Sequence, residues 1–166
     1  FTPTPHLERL IRDWHLGGVI LFRRNISDCC QIAGLTGRLQ ALAASVASMP
    51  LMIAIDQEGG MVARIETGIT PLPSAMALRE AGSLDDCETL TRMVNEELLA
   101  LGINVNFAPV LDVNNNPANP VIGVRAFGET VEDVCDFGLA ALRGIRAAGV
   151  LATIKHFPGH GDTGVD

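Results

Sequence analysis

Three stretches concentrate the side chains capable of chemistry. The last of them, IKHFPGHGDTGVD at 154–166, holds Lys155, His156, His160, Asp162 and Asp166. Those residue types suit either metal ligation or hydrogen bonding with proton transfer. Two histidines four apart bind zinc well when they share one helical face, but Pro158-Gly159 stand between His156 and His160 and forbid a regular helix. No Glu follows His156, so the HExxH arrangement is absent as well. A Lys-His pair leading into a Pro/Gly-shaped loop that carries acids fits hydrogen bonding and proton transfer better than a metal centre. No metal and no other cofactor is expected.

The second stretch is DQEGGMVAR at 56–64. Asp56 directly follows an apolar run, and Gly59-Gly60 allow a tight turn or a close backbone approach to a ligand. A carboxylate there can accept hydrogen bonds from vicinal hydroxyls, and Arg64 can fix it or donate to the ligand itself. The plain alternative is a polar loop in which Asp56 caps the next turn. The third stretch, NNNPANPVIGVRAFGE at 114–129, is rich in Asn and Pro, the composition of an ordered loop built from turns. Its length favours a functional role. Arg125 stands in an apolar setting near Val124 and Phe127, which calls for a carboxylate or ligand partner. A structural salt bridge holding the loop is the alternative.

Four short apolar runs must position these groups: GGVILF (17–22), LMIAI (51–55), GINVNF (102–107) and GVLATI (149–154). Each has the length of a buried strand. Helical patterns precede or separate them: HLERLIRDWHL, CQIAGLTGRLQALAASVA, DDCETLTRMVNEELLALG and VEDVCDFGLAALRGIRAAG. Gly17, Gly102 and Gly149 fall where a helix end favours a left-handed residue, and Asp85 and Thr130 where a cap or first turn is expected. Alternating strands and helices predict a parallel sheet covered on both faces. No GxGxxG follows the first strand, so the dinucleotide fingerprint is missing. Every strand ends in charged or amide residues: Arg23-Arg24-Asn25, Asp56-Gln57-Glu58, Asp112 with its Asn-rich loop, and Lys155-His156. Polar groups gathered at one strand edge favour a (β/α)8 TIM barrel over a doubly wound sheet. Such a barrel takes about 250 residues, so 1–166 is expected to be a partial barrel domain holding roughly the first half. Half a barrel leaves strand edges and core open, an aggregation hazard.

The bulk properties agree with a globular α/β domain. The 166 residues are 48% hydrophobic and 19% charged, with 17 Gly. A net charge of −7 argues against nucleic acid as a partner, since phosphate binding needs clustered Lys and Arg. No apolar run reaches the roughly 18 residues that cross a membrane, so no membrane partner is expected. Cys29, Cys30, Cys87 and Cys135 lack a disulfide or metal spacing and are expected as free thiols. This favours a reducing compartment, the cytoplasm. The chain begins at Phe1 rather than Met, so a secreted or envelope-attached protein stays open. His6 and His15 are expected at surfaces or helix ends, and Trp14 and the methionines in core or helix packing.

Together, GGVILFRRNI, AIDQEGGMVARI, NFAPVLDVNNNPANPVIGVRAFGE and IKHFPGHGDTGVD resemble the glycoside hydrolase family 3 β-N-acetylhexosaminidases, the bacterial single-domain type that acts in cell-wall recycling. The resemblance runs over nearly the whole chain, and KHFPGHGDT is specific to that subgroup. It implies a TIM barrel of which strand 1 would precede Phe1 and the last strands would follow Asp166. It implies a retaining β-N-acetylglucosaminidase that removes terminal N-acetylglucosamine from murein- or chitin-like fragments, so the partner is an N-acetylglucosamine-containing oligosaccharide or muropeptide. Asp56, Arg64, Arg125, Lys155 and His156 match the positions that hold the sugar in the −1 subsite. Asp166 matches the aspartate of a His-Asp acid/base dyad whose histidine would lie two residues further on. The nucleophilic aspartate would lie further still, so the 166 residues alone are expected to be inactive. His160 and Asp162 then shape the mobile loop. Met61 stands where many members carry a basic residue and Ala126 where many carry Ser, which bears on subsite detail. A β-glucosidase is the alternative within the family. From other classes stand a metal-dependent barrel hydrolase or aldolase, which a chelator would inactivate, and a non-catalytic sugar-binding protein.

Overall fold

Five helices start on side-chain caps. Thr4, Asp28, Ser74, Ser83 and Thr130 each accept a hydrogen bond from the backbone amide three residues later, satisfying a donor that the first turn leaves open. The helices are α1 (Pro5–Trp14), α2 (Cys29–Ala44), α3 (Ala75–Ala81), α4 (Leu84–Ala100) and α5 (Val131–Ala147). The strands are β1 (Gly18–Leu21), β2 (Met52–Ile55), β3 (Gln57–Gly59), β4 (Val62–Ala63), β5 (Val105–Asn106) and β6 (Leu151–Ala152). This computed structural model describes residues 2–46 and 49–165.

β1, β2, β5 and β6 form one parallel sheet in that order, so each strand lies beside the next one along the chain. Gly18 faces Met52, Ala54 faces Val105, and Asn106 faces Ala152. Strict sequential order without a reversal is the order of a barrel wall, whereas a doubly wound sheet changes direction at a switch point. The expected α/β architecture with a parallel sheet is therefore present. The strands are shorter than the apolar runs: GINVNF keeps ladder pairing only at Val105–Asn106, and GVLATI only at Leu151–Ala152. Hydrogen bonds beyond those limits, from Thr153 N to Asn106 O and from Leu111 N to Lys155 O, keep the segments aligned.

One sheet face packs on helices. Ile53, Ile55, Leu21 and Leu51 join Ile11, Ile32, Leu35, Leu39, Leu98 and Ile103 in the main core. Each fully buried Ile or Leu contributes roughly 1.5–3 kcal/mol. The other face carries Ile20, Met52, Ala54, Val105 and Phe107 along an apolar groove. A second cluster, including Leu78, Cys87, Phe127 and Val134, joins α3, α4 and α5. The cysteines are free, and burial pushes the Cys87 thiol up to about 11, which leaves it an inert core side chain.

Several local expectations need correction. Gly17 does not end α1. His15 takes the left-handed conformation at φ 50°, and Gly17 already leads into β1. Gly102 and Gly149 adopt the expected left-handed φ, at 80° and 82°. Asp85 stands in the first turn of α4 and Thr130 caps α5, both as expected, while the cap of α4 is Ser83. Trp14 is not core but 79% exposed, because α1 buries only Ile11 fully and ends at Trp14. Met49, Met52, Met61 and Met93 are exposed too: Met61 at the β3–β4 turn, Met52 on the groove face, Met93 away from the buried side of α4. The β3–β4 hairpin and α3 were not foreseen, since the first is polar and the second has only seven residues.

Candidate active site

The site grows from the C-terminal end of β2. Asp56 follows Ile55, and the next residues turn back as the β3–β4 hairpin. Gly59 and Gly60 have φ of 100° and 56°, and a Cβ on Gly59 would sit 2.5 Å from the Pro73 carbonyl oxygen, so glycine alone fits here. Buried Gln57 pins the returning strand: its Oε1 accepts from the amides of Arg64 and Ile65, and its Nε2 donates to Ile65 O. Asn106 at the end of β5, itself buried, accepts from the Gln57 amide and donates to the Gln57 carbonyl. The hairpin is thereby registered against two strand ends.

Extended backbone puts residues two apart on one side, so Asp56 and Glu58 face the same space. Lys155, just past β6, spans them with Nζ 2.9 Å from Asp56 Oδ1 and 2.5 Å from Glu58 Oε1. Arg125, on the 3-10 turn Gly123–Arg125, grips Glu58 with two bonds: Nε to Oε2 at 2.9 Å and Nη2 to Oε1 at 3.0 Å. Glu58 is only 6% exposed in its side chain. Its hydrogen bonds raise Arg125 above its ordinary pKa against the opposing effect of burial, with the charges of Asp112 and Asp56 adding to the shift. Arg64 Nη2 lies 3.4 Å from Asp56 Oδ2, and among the described residues the buried Arg64 Nε has no hydrogen-bond partner.

A second carboxylate centre lies beside this one. Asp112, with a side chain 1% exposed, receives His156 Nδ1 at 2.5 Å on Oδ2, while Oδ1 accepts the amide of His160 at 2.7 Å and that of His156 at 3.4 Å. The other ring nitrogen of His156, Nε2, is 3.4 Å from Arg125 Nη2, which joins the two centres. The chain after His156 rests on the Asn-rich loop. Asn116 Nδ2 donates to the carbonyls of Asp162 and Thr163, and Asn119 Nδ2 donates to that of His160 at 2.6 Å. Gly161 packs so tightly on this loop that a Cβ there would lie 1.7 Å from the Val113 carbonyl oxygen. Gly161→Ala is therefore expected to lift the 157–165 segment and raise its cleavage by a protease under native conditions, mapped by mass spectrometry. An unchanged cleavage map would show that the segment is not held by this contact.

Of the residues singled out in the sequence, Asp56, Arg64, Arg125, Lys155 and His156 meet in one network of hydrogen bonds and ion pairs. His160 joins it through Asp112. Asp162 is exposed and contributes its carbonyl to Asn116. Asp166 lies outside the described residues. The carboxylate partner expected of Arg125 is Glu58. Glu58 and Asp112 were not singled out, although both were in view. The signal for Glu58 was its spacing of two from Asp56; the signal for Asp112 was its place at a strand end.

Carboxylates, cations and an imidazole are gathered at the C-terminal ends of parallel strands, the edge at which a barrel assembles its site. The sequence profile of the Glycosyl hydrolase family 3 N terminal domain matches residues 2–166, and the chain belongs to this family. It is 48% identical over 170 residues to Beta-hexosaminidase A of Pseudoalteromonas piscicida, covering 99% of this chain and 28% of that protein. A glycoside hydrolase family 3 beta-N-acetylglucosaminidase from Paenibacillus sp. str. FPU-7 superposes with a TM-score of 0.95 at 51% identity, over 100% of this chain and 32% of that one. NagZ from Neisseria gonorrhoeae, solved in complex with N-trifluoroacetyl-D-glucosamine, superposes with a TM-score of 0.87 at 36% identity, over 97% of this chain and 48% of that one. The chain thus spans less than half the length of these relatives. Among the described residues, no helix is long and apolar enough to cross a membrane.

Proposed function

We propose that the intact protein is a retaining β-N-acetylglucosaminidase acting on terminal β-linked N-acetylglucosamine of murein- or chitin-like fragments, and that this chain supplies the grip on the −1 sugar. The observation that carries the reading is the charge-matched cluster at the strand ends. Asp56, Glu58 and Asp112 face Arg64, Arg125 and Lys155, three acids against three bases. A cluster with no excess charge suits a neutral polyhydroxyl ligand better than a phosphate or a polyanion. Asp56 accepts from ring hydroxyls, while Lys155 and the part-exposed end of the Arg64 guanidinium donate. The relatives, a beta-hexosaminidase and a beta-N-acetylglucosaminidase among them, support the same reading.

In this reading Asp166 orients an acid/base histidine beyond it, and an aspartate further along attacks the anomeric carbon. His160 and Asp162 shape the loop that carries the dyad and seats it when substrate binds. Four free thiols accord with a cytoplasmic site of action on recycled fragments.

The test is turnover of aryl β-N-acetylglucosaminides and aryl β-glucosides by the intact protein, with and without Asp166→Ala. Release from the N-acetylglucosaminide alone is expected. Asp166→Ala should cost most on substrates with poor leaving groups, since activated aryl groups need little proton donation. Release from the glucoside alone would move the protein to the β-glucosidases. Equal losses on both leaving groups would remove the dyad, and no release from either substrate would favour a non-catalytic sugar-binding protein.

A further inference from the structure

Asp112 is the most deeply buried carboxylate of the site, at 1% side-chain exposure, and it touches neither the Asp56–Lys155 pair nor the Glu58–Arg125 pair directly. Its partners are all hydrogen-bond donors. Two are backbone amides, of His156 and His160, which can only donate. The third is His156 Nδ1 at 2.5 Å. An ionised carboxylate accepts only, so Nδ1 must carry a proton. On the other side of the ring, Nε2 faces Arg125 Nη2, which again can only donate. A proton on Nε2 would set donor against donor and place an imidazolium beside a guanidinium that Glu58 keeps fully charged. Both faces of the ring therefore require one state, neutral imidazole with the proton on Nδ1 and a lone pair on Nε2.

We propose that Asp112 is a positioning residue that locks His156 in this tautomer and, by the same carboxylate, ties the start of the 157–165 segment to the sugar-binding wall. The proposal rests on reading the cluster as a sugar site and deepens it. A ligand hydroxyl seated between Arg125 Nη2 and His156 Nε2 replaces their 3.4 Å contact and satisfies both, because it accepts from the guanidinium and donates to the Nε2 lone pair. A carbonyl, an ether or a fluorine satisfies only Arg125. His156 thus selects for a free hydroxyl at the position it meets.

Asp112→Asn tests this without removing volume. The two backbone amides claim the new amide's oxygen, so its NH2 turns to His156 Nδ1 and forces the proton to Nε2, against Arg125. The intact protein, labelled with 15N-histidine and free of ligand, shows the tautomer directly by NMR, with the His156 signals assigned by their loss in His156→Gln. The wild type is expected to have a protonated Nδ1 and a bare Nε2, and Asp112→Asn the reverse. KM for an aryl β-N-acetylglucosaminide is expected to rise about 10- to 100-fold in Asp112→Asn, with a smaller change in kcat, because ring hydroxyls are held before and during reaction. Asp112→Glu, which keeps the carboxylate, should restore the tautomer and part of the KM. A wild-type spectrum with the proton on Nε2 overturns the proposal, and this measurement needs no variant to fold. An Asp112→Asn protein with the reversed tautomer and an unchanged KM overturns the hydroxyl selection. If the wild type shows the expected tautomer but turns over no glycoside, the sugar-site reading fails and the tautomer lock stands.

Discussion

Asp56→Ala is expected to lower kcat/KM on aryl β-N-acetylglucosaminides by about 10²- to 10⁴-fold. The figure follows from the chemistry of the position. A carboxylate that accepts two sugar hydroxyls makes two charge-assisted hydrogen bonds, each worth about 1.5–3 kcal/mol, and every 1.4 kcal/mol is a factor of about ten. The fold itself should survive. Asp56 lies at the open end of β2, and without it Lys155 keeps Glu58 as a counter-ion at 2.5 Å. Arg64 is left with solvent, to which its side chain is already 31% exposed. Asp56→Asn should fall between the two, since an amide keeps one acceptor and loses the charge. Steady-state kinetics with an unfolding curve for each variant settles the matter. A loss below tenfold would place Asp56 outside the sugar contacts and leave it as a structural partner of Lys155.

Glu58→Ala should act in the opposite sense, on stability first. Glu58 holds two cations at once, the bidentate Arg125 and Lys155, with little water about any of the three side chains. Removing it leaves the Arg125 guanidinium buried without its main acceptor, and arginine cannot escape by losing its proton. Breaking a buried pair from one side costs about 3–5 kcal/mol. The expected result is a matching fall in unfolding free energy by urea titration, together with a weakened site, because Arg125 and Lys155 lose the anchor that aims them. Glu58→Gln keeps the shape and one acceptor, and should recover part of the loss. A change under about 1 kcal/mol in Glu58→Ala would mean that water or a shifted Asp56 takes over the cations, and that the cluster is looser than its distances imply.

These two residues also mark how far the sequence could be read. Asp56 was legible because it breaks an apolar run at a strand end, where side chains enter a site. Glu58 shares its side with Asp56 by the period of two along extended backbone, but it lies in a polar stretch that reads as an ordinary loop. Only the hairpin formed by β3 and β4, pinned by Gln57, shows that the stretch is extended. Asp112 resembled Asp56 in sequence and was passed over, because nothing near it in the chain hints that its partners are His156 and His160, more than forty positions away. Trp14 and four of the methionines were misplaced for a related reason. Residue type predicts a preference for burial, but the geometry of α1, α4 and the sheet decides which face is covered.

The sequence by itself determined the class of fold, the edge at which the site is built, and most of the side chains that reach it. Those features are local: strand and helix periodicity, caps, turn residues and the polar residues directly after each apolar run depend on neighbours a few positions apart. Tertiary structure alone decided the pairing, meaning which acid meets which base, that Arg125 answers Glu58, and that one buried carboxylate serves both histidines. Pairings of that kind depend on how separate strand ends are brought side by side by the register of the sheet, and hydrogen-bond geometry within 3 Å carries no trace in the spacing of residues along the chain.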